Sequence, residues 1–216
     1  MFLIDFDNTL FNTTTSEGNF RDVRVKALAS IGISEELYQE TYDQARAIKG
    51  EDIAGYNDER HAEALAQHGF EKETVLKVLR ETMGDKLKTF LFPDTIEFLE
   101  SLKKTGQPLV LISLGDPEFQ YLKFRGSGIE KYFDRVKMTP IPKKEVLHEL
   151  LEHVHQQPVW FINDRLSENK DIAKLFPEVR VISKASTRTP REEYKESGLS
   201  FFDTLVEIKD YIENYE

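Results

Sequence analysis

Residues 1–10 read MFLIDFDNTL, and the question they raise is one of charge. Apolar residues flank Asp5 and Asp7, and the chain turns polar only at Asn8 and Thr9. Residues 2–7 are predicted to form a short buried strand. Side chains alternate along a strand, so Asp5 and Asp7 point one way while Ile4 and Phe6 point the other. Two carboxylates side by side at a buried strand repel each other and lose their hydration. That placement makes sense only where a cation or a substrate needs both.

Working outward, residues 8–19 (NTLFNTTTSEGN) gather Thr, Ser, Asn and Gly and read as a linker. Four helical stripes follow between residue 20 and about 84. They are Phe20, Val23, Ala27, Leu28 and Ile31; then Leu37, Tyr38, Tyr42, Ala45 and Ile48; then His61, Ala64, Leu65 and His68; then Val75, Leu76, Leu79 and Met83. No convincing strand interrupts them. From residue 93 the pattern changes to alternation. Helices are expected at 94–104, with Ile96, Leu99 and Leu102 inward, and at 117–125, 142–154, 168–176 and 203–213. Strands are expected at 108–113 (PLVLIS), about 135–138, 158–162 (PVWFI) and 179–183 (VRVIS). Continuous apolar runs of this kind are covered on both faces, and alternating βα units imply a parallel sheet with right-handed crossovers. The predicted fold is an α/β core from residues 1–13 and 90–216, with an all-helical insertion, residues 14–89, after the first strand.

Composition narrows the function classes. A chain of 216 residues has room for one substantial domain, or for one carrying a modest second. Its net charge of -10 argues against nucleic acid or an anionic membrane as an extended partner. A small phosphorylated ligand stays open, because local groups and a metal override the average field. There are no cysteines, which removes disulfides and thiolate chemistry and gives secretion no support. No stretch approaches the roughly 20 apolar residues of a membrane span, and the N-terminus lacks the basic lead of a signal peptide. A soluble cytoplasmic protein is expected.

Ligands of parallel α/β sheets gather outside the carboxyl ends of the strands. The first strand ends in Asp5 and Asp7, the second in Ser113 followed by Leu114, Gly115 and Asp116, and VWFI in Asn163 and Asp164. PIPKKEVL puts Lys143 and Lys144 at a helix start, where the helix dipole disfavours a cation, so an anion is expected to meet them.

In order, DFDNT, LVLIS, KKEVLHEL and VWFINDRLSENKD resemble the four motifs of the haloacid dehalogenase-like hydrolase superfamily, and with the insertion they span nearly the whole chain. The resemblance implies a Rossmann-like core with a helical cap between the first and second motifs. It implies Asp5 as nucleophile and Asp7 as general acid and base, by way of an aspartyl-phosphate. Ser113, Lys143 and the backbone after Ser113, at Leu114, would bind the phosphoryl oxygens. Mg²⁺ would be held by Asp5, Asp164 and the backbone carbonyl of Asp7. Lys143 fits the pattern better than Lys144. The last acid is assigned to Glu168, with Asn169 and Asp171 as alternatives, in the task of orienting Lys143 or a metal-bound water. Asn163 stands where relatives carry Gly or Asp, a change that an asparagine able to adopt positive φ would absorb.

The expected activity is hydrolysis of a small phosphorylated metabolite, with a phosphomutase or a low-turnover binding module as alternatives. A dehalogenase is disfavoured, since those relatives do not keep the second aspartate. Within the insertion, KGEDIAGYNDERH is a candidate substrate loop, and Arg46, Lys49, Arg60 and His61 are its basic residues, each read as a solvated helix position. Tyr38 and Tyr42 are read as insertion core. His148, His153 and His155 have no metal-ligand partners at suitable spacing and are read as surface or helix-packing residues.

Overall fold

The computed structural model describes residues 1–15, 18–46, 55–84, 86–152 and 158–215. Its centre is a sheet of six parallel strands in the order β5-β4-β1-β6-β7-β8. These strands are β1 (Phe2–Ile4), β4 (Leu109–Leu114), β5 (Arg135–Thr139), β6 (Val159–Asn163), β7 (Val179–Lys184) and β8 (Ser200–Phe202). A small antiparallel pair, β2 (Thr14–Thr15) and β3 (Gly18–Asn19), lies outside it. Flanking helices are α5 (Thr95–Lys104), α6 (Pro117–Ser127), α7 (Lys143–Leu151), α8 (Leu166–Leu175), α9 (Arg191–Ser197) and α10 (Leu205–Glu213). The remaining four, α1 (Phe20–Ala29), α2 (Glu35–Arg46), α3 (Asp58–Ala66) and α4 (Lys72–Gly84), follow β3, with no strand between them among the described residues.

The period of two along each strand sorts its residues between two cores. Phe2, Ile4, Leu109, Leu111, Trp160 and Ile162 face one, which Phe98 and Leu102 of α5 and Leu205 and Ile208 of α10 complete. Leu3, Val110, Ile112 and Phe161 face the other, against Val146 and Leu147 of α7 and Ile172 of α8. Both faces are therefore covered, as the apolar runs require. Burying each of these side chains contributes roughly 1.5–3 kcal/mol. Helices α1–α4 close around a third cluster built on Leu28, Ile33, Tyr38, Leu65, Val75, Leu76 and Leu79. Met83, at the end of α4, joins the first sheet core instead.

Several expectations need correction. The first strand stops at Ile4 rather than running to residue 7. The Asp5 amide still donates to Ile162 O at 2.9 Å, but the amides of Thr9, Leu10 and Phe11 then all turn back to Phe6 O. Asn8 adopts the left-handed conformation, φ 60°, within that turn. Asp7 is aimed by a turn, not by strand pleating. The stretch read as a linker buries Leu10 and Phe11 completely and pairs β2 with β3. Ile96 is exposed, and Phe98 takes the inward position. Both α9 and β8 escaped sequence reading; EEYKE and SFF carry too little apolar periodicity.

Candidate functional site

Strand order reverses around β1, whose neighbours β4 and β6 come from opposite directions along the chain. A crevice opens at such a switch point beyond the carboxyl ends. Here it is a cavity of about 480 Å³, and Asp5, Asp7, Ser113, Leu114, Lys143 and Asp164 all line it. Asp5 is 4% exposed. Its Oδ1 accepts from Lys143 Nζ at 2.6 Å and its Oδ2 from Thr9 Oγ1 at 2.9 Å. Burial pushes its carboxyl above the usual range, and Lys143 opposes that shift. Lys143, 3% exposed at the first turn of α7, also donates to Asn163 Oδ1 at 2.8 Å and lies 3.1 Å from Glu168 Oε2. Burial works against its charge, yet Asp5 and Glu168 outweigh that and hold its pKa above the usual lysine value.

Of the two lysines, Lys143 lines the cavity while Lys144 pairs with Asp171 at 3.2 Å on the surface. Glu168 stands behind Lys143 rather than on the cavity wall. Asn169 instead clamps the corner of the strand, accepting from Asn163 Nδ2 at 2.8 Å and donating to Asn163 O and Ser183 Oγ. Asn163 itself ends β6 without using the positive φ open to an asparagine. Its amide acts as a bridge from Lys143 to Asn169. Ser113 Oγ is buried and has no hydrogen-bond partner. The Gly115 amide is used by Thr139 O at 2.8 Å. Gly115 adopts φ 145°, where a Cβ would stand 2.7 Å from Gln120 Nε2.

Asp7 is held by Lys123, whose Nζ lies 2.6 Å from both carboxylate oxygens, and by Gln120 Nε2 at 3.0 Å. Both partners come from α6, which Asp116 caps by accepting from Phe119 N. Sequence reasoning passed over Lys123. Its signal was an i, i+3 and i+4 spacing from Gln120 and Phe119, which puts a lysine on the inward face of α6.

The insertion supplies the opposite wall through Phe20, Arg21, Arg24, Tyr38, Tyr42, Arg46, Gly55 and Tyr56. Gly55 approaches so closely that a Cβ there would meet Asp116 N at 2.3 Å. Asn57 and Arg60 donate to the same Asp116 carboxylate at 3.0 and 3.2 Å. Arg60 is therefore engaged rather than freely solvated. His61, read as solvated, is fully buried: Thr41 Oγ1 lies 2.9 Å from Nε2 and Tyr56 Oη 2.8 Å from Nδ1. Thr41 already donates to Leu37 O, so the ring donates from Nε2 and accepts at Nδ1. Burial, then the nearby Arg24 charge, lowers the His61 pKa to about 4. Tyr38 belongs to the insertion core as expected, yet Tyr38 and Tyr42 also line the cavity. Arg46 lines it too, whereas Lys49, Gly50, Ile48, His153 and His155 lie outside the described residues. His148 packs on Phe176 with ring centroids 4.7 Å apart. Arg24, 2% exposed, was missed; it lies at i+4 from Phe20 and i−4 from Leu28, a cation set into an apolar stripe.

Seven Arg or Lys side chains line the cavity against four Asp, on a chain of net charge -10. This is a place for an anion. Among the described residues no three His, Cys, Asp or Glu side chains cluster as a ready metal site. Mg²⁺ does not require one, since it takes one or two carboxylates together with phosphate oxygens and water. The all-oxygen donor set fits it. Asp164 has its carboxyl raised to about 7 by burial and then by the Asp5 charge, a crowding that a divalent cation would relieve.

The sequence profile of the haloacid dehalogenase-like hydrolases matches residues 1–173. No curated protein matches the chain by sequence. Among solved structures, a β-phosphoglucomutase candidate from Thermotoga maritima superposes with a TM-score of 0.66 at 17% identity, covering 100% of this chain and 99% of its own. A phosphatase candidate from Clostridium difficile gives 0.59 at 24%, covering 98% and 97%. The L-2-haloacid dehalogenase of Xanthobacter autotrophicus gives 0.58 at 17%, covering 100% and 98%. At these identities the likeness is one of fold, and it spans three chemistries.

Proposed function

The chain belongs to the haloacid dehalogenase-like hydrolase family, and we propose that within it the protein is a Mg²⁺-dependent phosphatase of small phosphomonoesters. The observation that carries this is Asp7, a second carboxylate on the cavity that Asp5 lines. Displacing a halide releases a stable anion that needs no proton. Cleaving a phosphoester releases an alkoxide that does need one, which gives Asp7 a proton-donor task that a halide leaving group would not.

In this reading Asp5 attacks phosphorus; its new O–P bond forms as the ester P–O bond breaks, dividing one displacement into two. Asp7 gives its proton to the leaving oxygen, for which one carboxylate oxygen must exchange Lys123 for the substrate. It then takes a proton from the water that opens the Asp5 phosphoryl bond and releases phosphate. Lys143 and Ser113 Oγ hold the phosphoryl oxygens, with the Leu114 backbone beside them; Glu168 and Asn163 fix Lys143. Mg²⁺, when bound by Asp5, Asp164 and the Asp7 carbonyl, would offset the repulsion between the Asp5 carboxylate and an anionic phosphate. The core (1–13 and 90–216) would carry the chemistry, and the helical cap (14–89) would exclude water.

The test is phosphate release from p-nitrophenyl phosphate with Mg²⁺ and with chelator, beside chloride release from 2-chloropropionate. Metal-dependent phosphate release with no dechlorination is expected. Dechlorination alone, or metal-independent turnover, would overturn the reading. Phosphate moved between hydroxyls of a sugar phosphate, without release, would point to a mutase instead.

A further inference from the structure

The hydrolysis proposed above uses the sheet side of the cavity and leaves the insertion side without a task. Among the described residues, the buried side-chain polar atoms with no hydrogen-bond partner are Arg24 Nε and Nη1, Tyr38 Oη, Ser113 Oγ and Gln120 Oε1. All of them belong to residues lining this one cavity. Leaving such an atom unpaired is costly, more so for a charged group, so a native fold concentrates them where a ligand completes the set.

Ser113 Oγ is accounted for by the phosphoryl group. Arg24 and Tyr38 are not. We infer that they form a second oxyanion subsite, so that the substrate is a phosphomonoester bearing another anionic group, a carboxylate or a further phosphate. The inference rests on the phosphatase reading.

A purely structural role for Arg24 explains only part of its geometry. Nη2 donates to Asp58 Oδ1 and to Tyr56 Oη, which closes a helical core but leaves Nε and Nη1 idle. The orientation is fixed by a directed chain. Arg24 donates to Tyr56, Tyr56 to His61 Nδ1, His61 Nε2 to Thr41, and Thr41 to Leu37 O. The guanidinium is thus set before any ligand arrives, and aromatic rings at Tyr56 and Phe119 keep it dry, 4.8 and 5.4 Å from Cζ. Asp58 offsets one positive charge, while Arg21 and Arg46 on the same wall restore an anion-attracting field. Phe119 also sets the scale: Lys123 Nζ, the partner of Asp7, lies 5.3 Å from its centroid, so one ring separates the reacting end from Arg24. That spacing suits a short aliphatic phosphate ester with its second charge at the far end.

The experiment compares kcat/KM, by phosphate release with Mg²⁺, for n-alkyl phosphates, ω-phosphooxy carboxylates and alkanediol bisphosphates of matched chain length, with p-nitrophenyl phosphate as a control. A preference of about tenfold or more for one doubly charged series over the alkyl phosphates is expected, and which series wins names the group. Arg24→Lys keeps a cation beside Asp58 but loses the two idle donors, and Tyr38→Phe removes only an unpaired hydroxyl. Each is expected to reduce the preference several-fold, chiefly through KM. Equal kcat/KM across the three series, with p-nitrophenyl phosphate turned over, overturns the subsite and leaves the phosphatase standing. A preference unchanged in both variants also overturns it. No metal-dependent phosphate release from any substrate overturns the phosphatase reading, and the subsite with it.

Discussion

On the sheet side of the cavity the functional side chains other than Asp7 leave from the end of a strand or the first turn of a helix. Asp5 follows β1, Ser113 stands near the end of β4, Asp164 follows β6 and Lys143 opens α7. On the insertion side, Arg24, Tyr38 and Tyr42 leave from the bodies of α1 and α2. Strand ends release side chains from packing, so the sheet side can be polar at little structural cost. A mid-helix position must serve core and ligand together. The two walls should therefore respond differently to substitution: the sheet side mainly in activity, except at Lys143, whose buried charge pairs with Asp5, and the insertion side in stability as well.

The largest expected effect belongs to Asp5→Asn, which keeps shape and Thr9 contact but removes the nucleophile. Hydrolysis of p-nitrophenyl phosphate should fall by about 10³-fold or more while the circular dichroism spectrum stays native. Retained turnover would break the comparison at its strongest point. Next is the pair Lys143→Met and Lys144→Met. The first leaves Asp5 facing Asp164 without its cation, and urea unfolding should show a loss of about 3–5 kcal/mol together with loss of activity. The second removes a surface pair and should change stability by less than about 1 kcal/mol. Equal effects from the two would erase the distinction between them.

A pH effect sharpens the other side. His61 has an ordinary pKa of 6.5 and is lowered to about 4 in the fold. The unfolded chain therefore binds the proton first, and stability drains as pH falls from about 6.5 to 4, by roughly 3 kcal/mol. Melting curves across that range should flatten in His61→Gln relative to the parent; an identical slope would place the titration elsewhere. The smallest effect is Ser113→Ala. Because Oγ has no partner, melting temperature should hold or rise slightly, while KM for the phosphoester rises about tenfold.

The sheet side was legible in the sequence because its chemistry is compressed into short segments. DFDNT, LVLIS, KKEVL and INDR each hold a strand or helix boundary and the polar residue attached to it. Alternation of apolar runs with helical stripes was enough for the parallel core. Asp7 was placed on the right wall for the wrong reason, since Phe6 O collects three amides and turns the chain before a strand could carry it. Arg24 and Lys123 were illegible for a common cause. A basic residue on a helix is usually solvated, and only its neighbours decide otherwise: Asp58 for Arg24, Asp7 for Lys123. Those partners lie 34 and 116 residues away. His61 was hidden by the same distance dependence, its ring held by Thr41 twenty residues upstream.

Asp116, half-buried just ahead of α6, joins the two walls tightly. Its carboxylate caps α6 through Phe119 N and at the same time accepts from Asn57 and Arg60 of the insertion, with Gly55 resting on its amide. Fraying of the first turn of α6 and detachment of the insertion are consequently one cooperative opening rather than two independent ones. Amide exchange at Phe119 and at Gln120 reads out that opening, since the Gln120 amide bonds to Asp116 O. Because α6 also carries Lys123, the same event that admits solvent to the cavity loosens the grip on Asp7.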